Sequence, residues 1–148
     1  MTIREAAPPV RILLVEDDPG DVLLIREALA ESCAPIHIEV ASNGEEAIEF
    51  LAQEGAFGGA ERPDLVLLDL NLPRLGGLDV LKRIKHDDDL RSIPVVVLTT
   101  SRTQGDVQSS YELHANAYVS KPVEVEQFLR AVRGIDHFFV KVALLPKG

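Results

Sequence analysis

The sequence predicts an α/β fold, a doubly wound parallel sheet of five strands with helices on both faces, and three observations carry that expectation. Short apolar runs recur roughly every 25 to 30 residues. A segment of helical periodicity separates each run from the next, an alternation that requires parallel strands joined by right-handed crossovers. The polar residues that interrupt the runs fall at their carboxyl ends, where such sheets bind ligands.

The elements follow in order. Val10 to Val15 (VRILLV) is an apolar run but for Arg11, as expected for a strand buried on both faces. Asp18-Pro19 reads as a helix N-cap with proline in the first turn, and Val22, Ile25, Ala28 and Leu29 keep helical spacing behind it. Ile36 to Ala41 alternates as a second strand. Ser42-Asn43-Gly44-Glu45 then caps a helix whose apolar face is Ala47, Ile48 and Leu51. Gly55 to Pro63 is loop by composition, and Leu65 to Leu68 is a third buried strand. After Pro73 and Gly76-Gly77, Val80, Leu81 and Ile84 mark a helix, and Pro94 to Leu98 is the fourth strand. Thr103 to His114 is helical in propensity but poor in apolar residues, with only Val107, Tyr111 and Leu113. Ala117 to Val119 is a short fifth strand, and Val125, Phe128, Leu129 and Val132 give an amphipathic last helix. The expected organisation is a tail over 1–10, a domain over 11–133 and an apolar extension over 134–148.

Composition bounds the function. A chain of 148 residues with 46% hydrophobic and 26% charged residues is one ordinary globular domain, too short for a second output domain. No apolar run approaches the ~18 residues of a membrane span. Met1 to Pro9 lacks the apolar stretch of a secretory signal, and the lone Cys33 fits a reducing compartment, so a cytoplasmic protein is expected. The net charge of −9, without a clustered basic stripe, argues against nucleic acid as a partner. Part of that surplus is an ordinary solvated run, Asp87-Asp88-Asp89. His37, His86, His114 and His137 show no metal-ligand spacing and receive no site role.

The rest of the charge is concentrated at strand ends. The first strand ends in Glu16-Asp17, the third in Asp69, the fourth in Thr99, and the fifth runs into Lys121-Pro122. Each residue alone has an ordinary explanation: a helix cap, a loop acid, a hydroxyl bonded to backbone, a surface lysine. Together they place three carboxylates, a hydroxyl and an ammonium at one edge of one sheet. Carboxylates crowded in this way need a counter-charge, and a hard cation such as Mg²⁺ with oxygen ligands supplies it. Beside such a cation Asp69 is the natural nucleophile for a phosphoryl group, with Lys121 and Thr99 contacting phosphoryl oxygens.

At these residues the sequence resembles the response-regulator receiver family of two-component signalling. The matching stretches are ILLVEDDP (12–19), DLVLLDLNLP (64–73) with Gly76-Gly77, PVVVLTT (94–100) and AYVSKP (117–122). The resemblance implies a flavodoxin-like (βα)5 sandwich with strand order 2-1-3-4-5 and Asp69 as phosphoacceptor for a partner sensor histidine kinase. It implies Mg²⁺ on Asp17, Asp69 and the backbone carbonyl of Asn71, with Glu16 acting through water. It also implies a switch pairing Thr99 with Tyr118 and a cis peptide at Lys121–Pro122, X–Pro being the bond for which cis is least costly. Glu16, where the family commonly has Asp, keeps the charge and alters only the metal shell. Asn71 and Ser101 flank the site and should tune water access. The stretches LTTS (98–101), SYELHANAYVSKP (110–122) and GIDHFFVKVALLP (134–146) look like single-domain regulators of bacterial phytochromes, which implies a phytochrome-type photoreceptor kinase as partner.

A haloacid-dehalogenase-like phosphatase would also use a nucleophilic Asp with Mg²⁺, but it needs an acid two residues on, and here that position is Asn71. A flavodoxin-like FMN binder would need a Ser, Thr and Gly-rich loop where this chain has Glu-Asp-Asp-Pro. A receiver-like module that is never phosphorylated is the remaining alternative, and the intact site residues oppose it. The expectation is a phosphoryl carrier, not a turnover enzyme, with at most slow autophosphorylation and autodephosphorylation. In the extension, Phe138, Phe139, Val140, Val142, Leu144 and Leu145 follow a helix that already has its own buried face. They predict a homodimer interface shared with the fourth helix, fifth strand and fifth helix; the bland alternative is that the extension folds back on its own domain.

Overall fold

The computed structural model describes residues 9–32, 35–100 and 103–142. Cys33, Ser101, Leu144 and Leu145, which figure in the expectations above, lie outside those residues.

Among the described residues five strands alternate with five α-helices: β1 (Val10–Val15), α1 (Pro19–Ala30), β2 (Ile36–Ala41), α2 (Gly44–Ala52), β3 (Leu65–Leu68), α3 (Gly77–His86), β4 (Val95–Thr99), α4 (Gln104–Glu112), β5 (Ala117–Ser120) and α5 (Val125–Ile135). All strand pairs are parallel, and the order is β2-β1-β3-β4-β5, as expected. Alternate residues of the central strands feed two separate cores. Leu13, Val15, Val66, Leu68, Val95 and Val97 face α2 and α3, where they meet Phe50, Leu51, Val80, Leu81 and Ile84. Ile12, Leu14, Leu65, Leu67, Val96 and Leu98 face α1 and α5, where they meet Ile25, Leu29, Phe128 and Val132. Because both faces are covered, the central strands need apolar side chains at every position, which is why they read as unbroken runs.

Local chemistry fixes the helix starts. Asp18 caps α1, its carboxylate accepting from the N–H groups of Gly20 and Asp21, with Pro19 at the first helical position. Asn43 caps α2 by accepting from Glu46 N–H at 2.8 Å. Thr103 caps α4, a helix in which Ser110 is the buried residue. A 3₁₀ turn, Gly55–Phe57, interrupts the loop after α2. α5 does not stop at the expected domain edge: it continues as a π-helical turn over Asp136–Val142. In that turn Phe139 packs back onto the α1/α5 core, whereas Phe138 is 53% exposed. No helix among the described residues is long and apolar enough to cross a membrane.

One expectation fails. The described residues contain no cis peptide bond, so Lys121–Pro122 is trans. Trans is the lower-energy isomer even before proline, and the hydrogen bond from Lys121 N–H to the Thr99 carbonyl, at 2.8 Å, is made with the bond in that form.

Candidate functional site

Sheet register brings the strand-end residues level. Val15 pairs with Leu68, Leu68 with Val97 and Thr99 with Ser120. The ladder runs one residue beyond β3 and β5: Asp69 N–H donates to Val15 O at 3.0 Å, as Lys121 N–H does to Thr99 O. Glu16, Asp69, Thr99 and Lys121 therefore stand on rigid backbone at the carboxyl edge, where β1 and β3 lie side by side and chain order reverses. Gly77 permits the next element to close over them: a Cβ there would come 2.4 Å from the Asp69 carbonyl oxygen.

Asp69 is the centre. It is 6% exposed, and its Oδ1 accepts from the Thr99 hydroxyl at 2.8 Å and from Asn71 N–H at 3.0 Å. Its Oδ2 accepts from Lys121 Nζ at 3.1 Å. Burial pushes the carboxyl up, but the Asn71 N–H, the Lys121 charge and the Thr99 hydroxyl outweigh it and hold Asp69 below its ordinary value. It is therefore an ionised, buried carboxylate near neutrality. The Thr99 hydroxyl is already turned toward Asp69, and Tyr118 is half-buried against the α2/α3 core.

Lys121 is 5% exposed and has a carboxylate for each of its three protons: Glu16 Oε2 at 2.5 Å, Asp21 Oδ2 at 2.9 Å and Asp69 Oδ2 at 3.1 Å. Burial opposes the charge on the ammonium, but these acids hold its pKa above the usual lysine value. Glu16 is 2% exposed, and burial pushes its carboxyl up to about 7 against the pull of Lys121, with the charge of Asp69 adding to the rise. Three acids on one ammonium leave excess negative charge, which a proton on Glu16 or a bound cation relieves.

The fit to a cation rests on the same carboxylates. Glu16, exposed Asp17 and Asp69 each offer one oxygen, and these lie within 4.8 Å of one another. An all-oxygen set with one solvent-facing member suits Mg²⁺, which keeps several waters. All five strand-end residues read from the sequence are brought together, and Asn71 lies beside them, its side-chain amide donating to the hydroxyls of Thr99 at 3.4 Å and Thr100 at 3.1 Å. Sequence reasoning missed Asp21 and Thr100. Asp21 carried a faint signal, standing in the first turn of the helix that follows Glu16-Asp17.

A parallel sheet in this order, with an ionised Asp between a hydroxyl, an ammonium and a cation-suited acid cluster, defines a phosphoryl-accepting signalling domain. The chain matches the response regulator receiver domain over residues 12–133 and belongs to that family. Among its relatives, response regulator Rcp1 of Synechocystis sp. is 44% identical over 142 residues, spanning 96% of this chain and 97% of the relative. The probable methanogenesis regulatory protein FilR2 of Methanothrix harundinacea is 40% identical, covering 93% of this chain and 88% of that one. The structure of the phosphorylated cyanobacterial phytochrome response regulator RcpA superposes with a TM-score of 0.92 at 46% identity, covering 95% of this chain and 100% of that one. The Mn²⁺-bound form of Rcp1 gives the same TM-score at 43% identity, covering 94% of this chain and 100% of that one.

Proposed function

We propose that this response regulator takes a phosphoryl group on Asp69 from a sensor histidine kinase of the phytochrome type, in the cytoplasm. Mg²⁺ would be held by Glu16, Asp17, Asp69 and the main-chain carbonyl of Asn71. The observation that carries the proposal is the convergence on Asp69 of a hydroxyl, a main-chain N–H and a buried ammonium, beside two further cation-suited acids. An oxygen of the Asp69 carboxylate attacks phosphorus. The bond from phosphorus to the donor breaks, its electron pair leaves with the donor, and an acyl phosphate remains on Asp69. Thr99 and Lys121, whose donors already point at the two carboxylate oxygens, pass those hydrogen bonds to phosphoryl oxygens. Mg²⁺, when held there, would supply neutralisation of the charge that develops during transfer.

Asn71 stands where a hydrolase would need an acid, and its amide is committed to the two threonine hydroxyls, which supports a carrier over a turnover enzyme. Leu23 and Val123 are 58% and 96% exposed, and each lies two residues from the Asp21–Lys121 ion pair, an apolar rim for a docking kinase. The likeness to RcpA, a cyanobacterial phytochrome response regulator, supports a phytochrome-type kinase. The Thr99 hydroxyl and Tyr118 are proposed as the switch pair, carrying the change at Asp69 to the α4–β5–α5 face. That face, with exposed Tyr111, Val125 and Phe138, is proposed to form a homodimer together with the extension 134–148.

Offering the phosphoryl group from two sources tests the proposal. Acetyl phosphate with Mg²⁺ should label the protein at one site, a chelator should abolish labelling, and phytochrome-type kinases should outpace unrelated histidine kinases. Labelling that ignores Mg²⁺ would reject the site, and equal rates with every kinase would reject the phytochrome partner.

A further inference from the structure

We infer that Asp21 is a positioning residue for phosphoryl acceptance, holding the Lys121 ammonium on station while its other acceptors are given over to the metal and the phosphoryl group. The inference rests on Asp69 being the acceptor.

Lys121 Nζ has three carboxylate partners at 2.5, 2.9 and 3.1 Å. Two of them, Glu16 and Asp69, belong to the cluster that offers oxygens to a cation. Asp69 also loses one oxygen to phosphorus when it is modified. Asp21 belongs to neither event: it is not in the cation cluster, and its side chain pairs with Lys121. A four-carbon side chain with rotatable bonds loses considerable freedom in holding one geometry, and a contact that persists through the cycle offsets that loss.

The backbone makes Asp21 a rigid anchor. Its N–H, at 3.4 Å, and that of Gly20, at 2.8 Å, donate to Asp18 Oδ1 in the α1 cap. Asp18 N–H donates in turn to Glu16 Oε1 at 3.2 Å. Glu16, Asp18, Asp21 and Lys121 thus close a ring of hydrogen bonds that ties the start of α1 to the end of β5. Gly20 leaves room for it, since a Cβ there would stand 3.2 Å from Asp18 Oδ1. Asp21 is half-buried, its side chain 26% exposed against 4% for Lys121. It can therefore be altered without opening the core.

Labelling by acetyl phosphate, followed over donor concentration at saturating Mg²⁺ and over Mg²⁺ concentration at fixed donor, tests the role. Asp21→Ala should lower the maximal labelling rate about tenfold, the effect of roughly one charge-assisted hydrogen bond, with half-saturating Mg²⁺ unchanged. Asp21→Asn keeps an oxygen for Lys121 and should restore most of the rate. In a Lys121→Gln background the Asp21→Ala change should have no further effect, because Asp21 acts through the lysine. A wild-type rate in Asp21→Ala, equal loss in both Asp21 variants, a matching loss of Mg²⁺ affinity, or full additivity with Lys121→Gln would each overturn the inference. Asp69→Asn serves as control: if it labels like wild type the acceptor assignment itself is wrong, whereas a silent Asp69→Asn with a normal Asp21→Ala removes Asp21 alone.

Discussion

Glu16 and Asp69 lie against the same ammonium, yet the fold moves their pKa values in opposite directions. Asp69 is held low by donors on both oxygens, whereas burial lifts Glu16 to about 7. A carboxyl raised on folding adds stability that is complete below its ordinary value near 4.5 and is lost as pH rises through about 7. Asp69 contributes in the opposite sense, with stability present above its ordinary value and lost as pH falls through its lower folded one. The window from about pH 5 to about pH 8 therefore belongs to Glu16. In metal-free protein Tm should fall across that window, and both excess Mg²⁺ and Glu16→Gln should flatten the fall. A slope left intact by Glu16→Gln would contradict the assignment. At this scale the sequence was most informative, because a polar residue that ends an apolar run has little other reason to stand there, as with Asp69 after LVLL. Asp21 escaped because an acid in a first helical turn is ordinary dipole chemistry, and only the fold shows Lys121 reaching it.

At the scale of elements, the pole opposite the site has its own fastening. Asn116 N–H donates to Val95 O at 2.8 Å, and Asn116 Oδ1 accepts from Val95 N–H at 2.9 Å and from Lys85 Nζ at 3.4 Å. Lys85 also donates to the carbonyls of Arg91 and Ile93, so one ammonium joins the end of α3 to the approaches of β4 and β5. Burial lowers its pKa. Asn116→Ala leaves Val95 N–H without its side-chain acceptor and should cost about 1–3 kcal/mol in denaturant melts. Asn116→Asp keeps the acceptor and should cost less; equal losses in the two variants would show that the acceptor is not what matters. The bounds of β1 and β3 were legible because buried parallel strands are apolar on both faces, those of β2 because its apolar and polar residues alternate, and the caps Asp18 and Asn43 because their chemistry is local. The π-helical turn over Asp136–Val142 was not, since a changed hydrogen-bond register leaves no mark in composition. Nor did any local signal set the isomer of Lys121–Pro122, which the family resemblance alone had suggested as cis.

For the whole molecule, strand order came from resemblance, because alternation of elements is compatible with more than one doubly wound order. The extension divides its apolar residues: Ile135 and Phe139 complete the α1/α5 core, while Phe138 faces outward. Truncation after Arg133 would therefore damage the domain, and Phe138→Asp is the cleaner probe of association. Wild-type protein should sediment as a dimer, and Phe138→Asp should weaken the dimer at least about tenfold, the worth of one buried aromatic anchor, with Tm little changed. A dimer of undiminished affinity would place the interface elsewhere.

The most direct measurement is the location of the phosphoryl group itself. Protein labelled with acetyl phosphate and Mg²⁺ is reduced with borohydride, which converts an aspartyl phosphate to homoserine, and the modified residue is then read by peptide mass spectrometry. Conversion confined to Asp69 is the expected result. Conversion at Asp17 or any other carboxylate, with Asp69 intact, would contradict it.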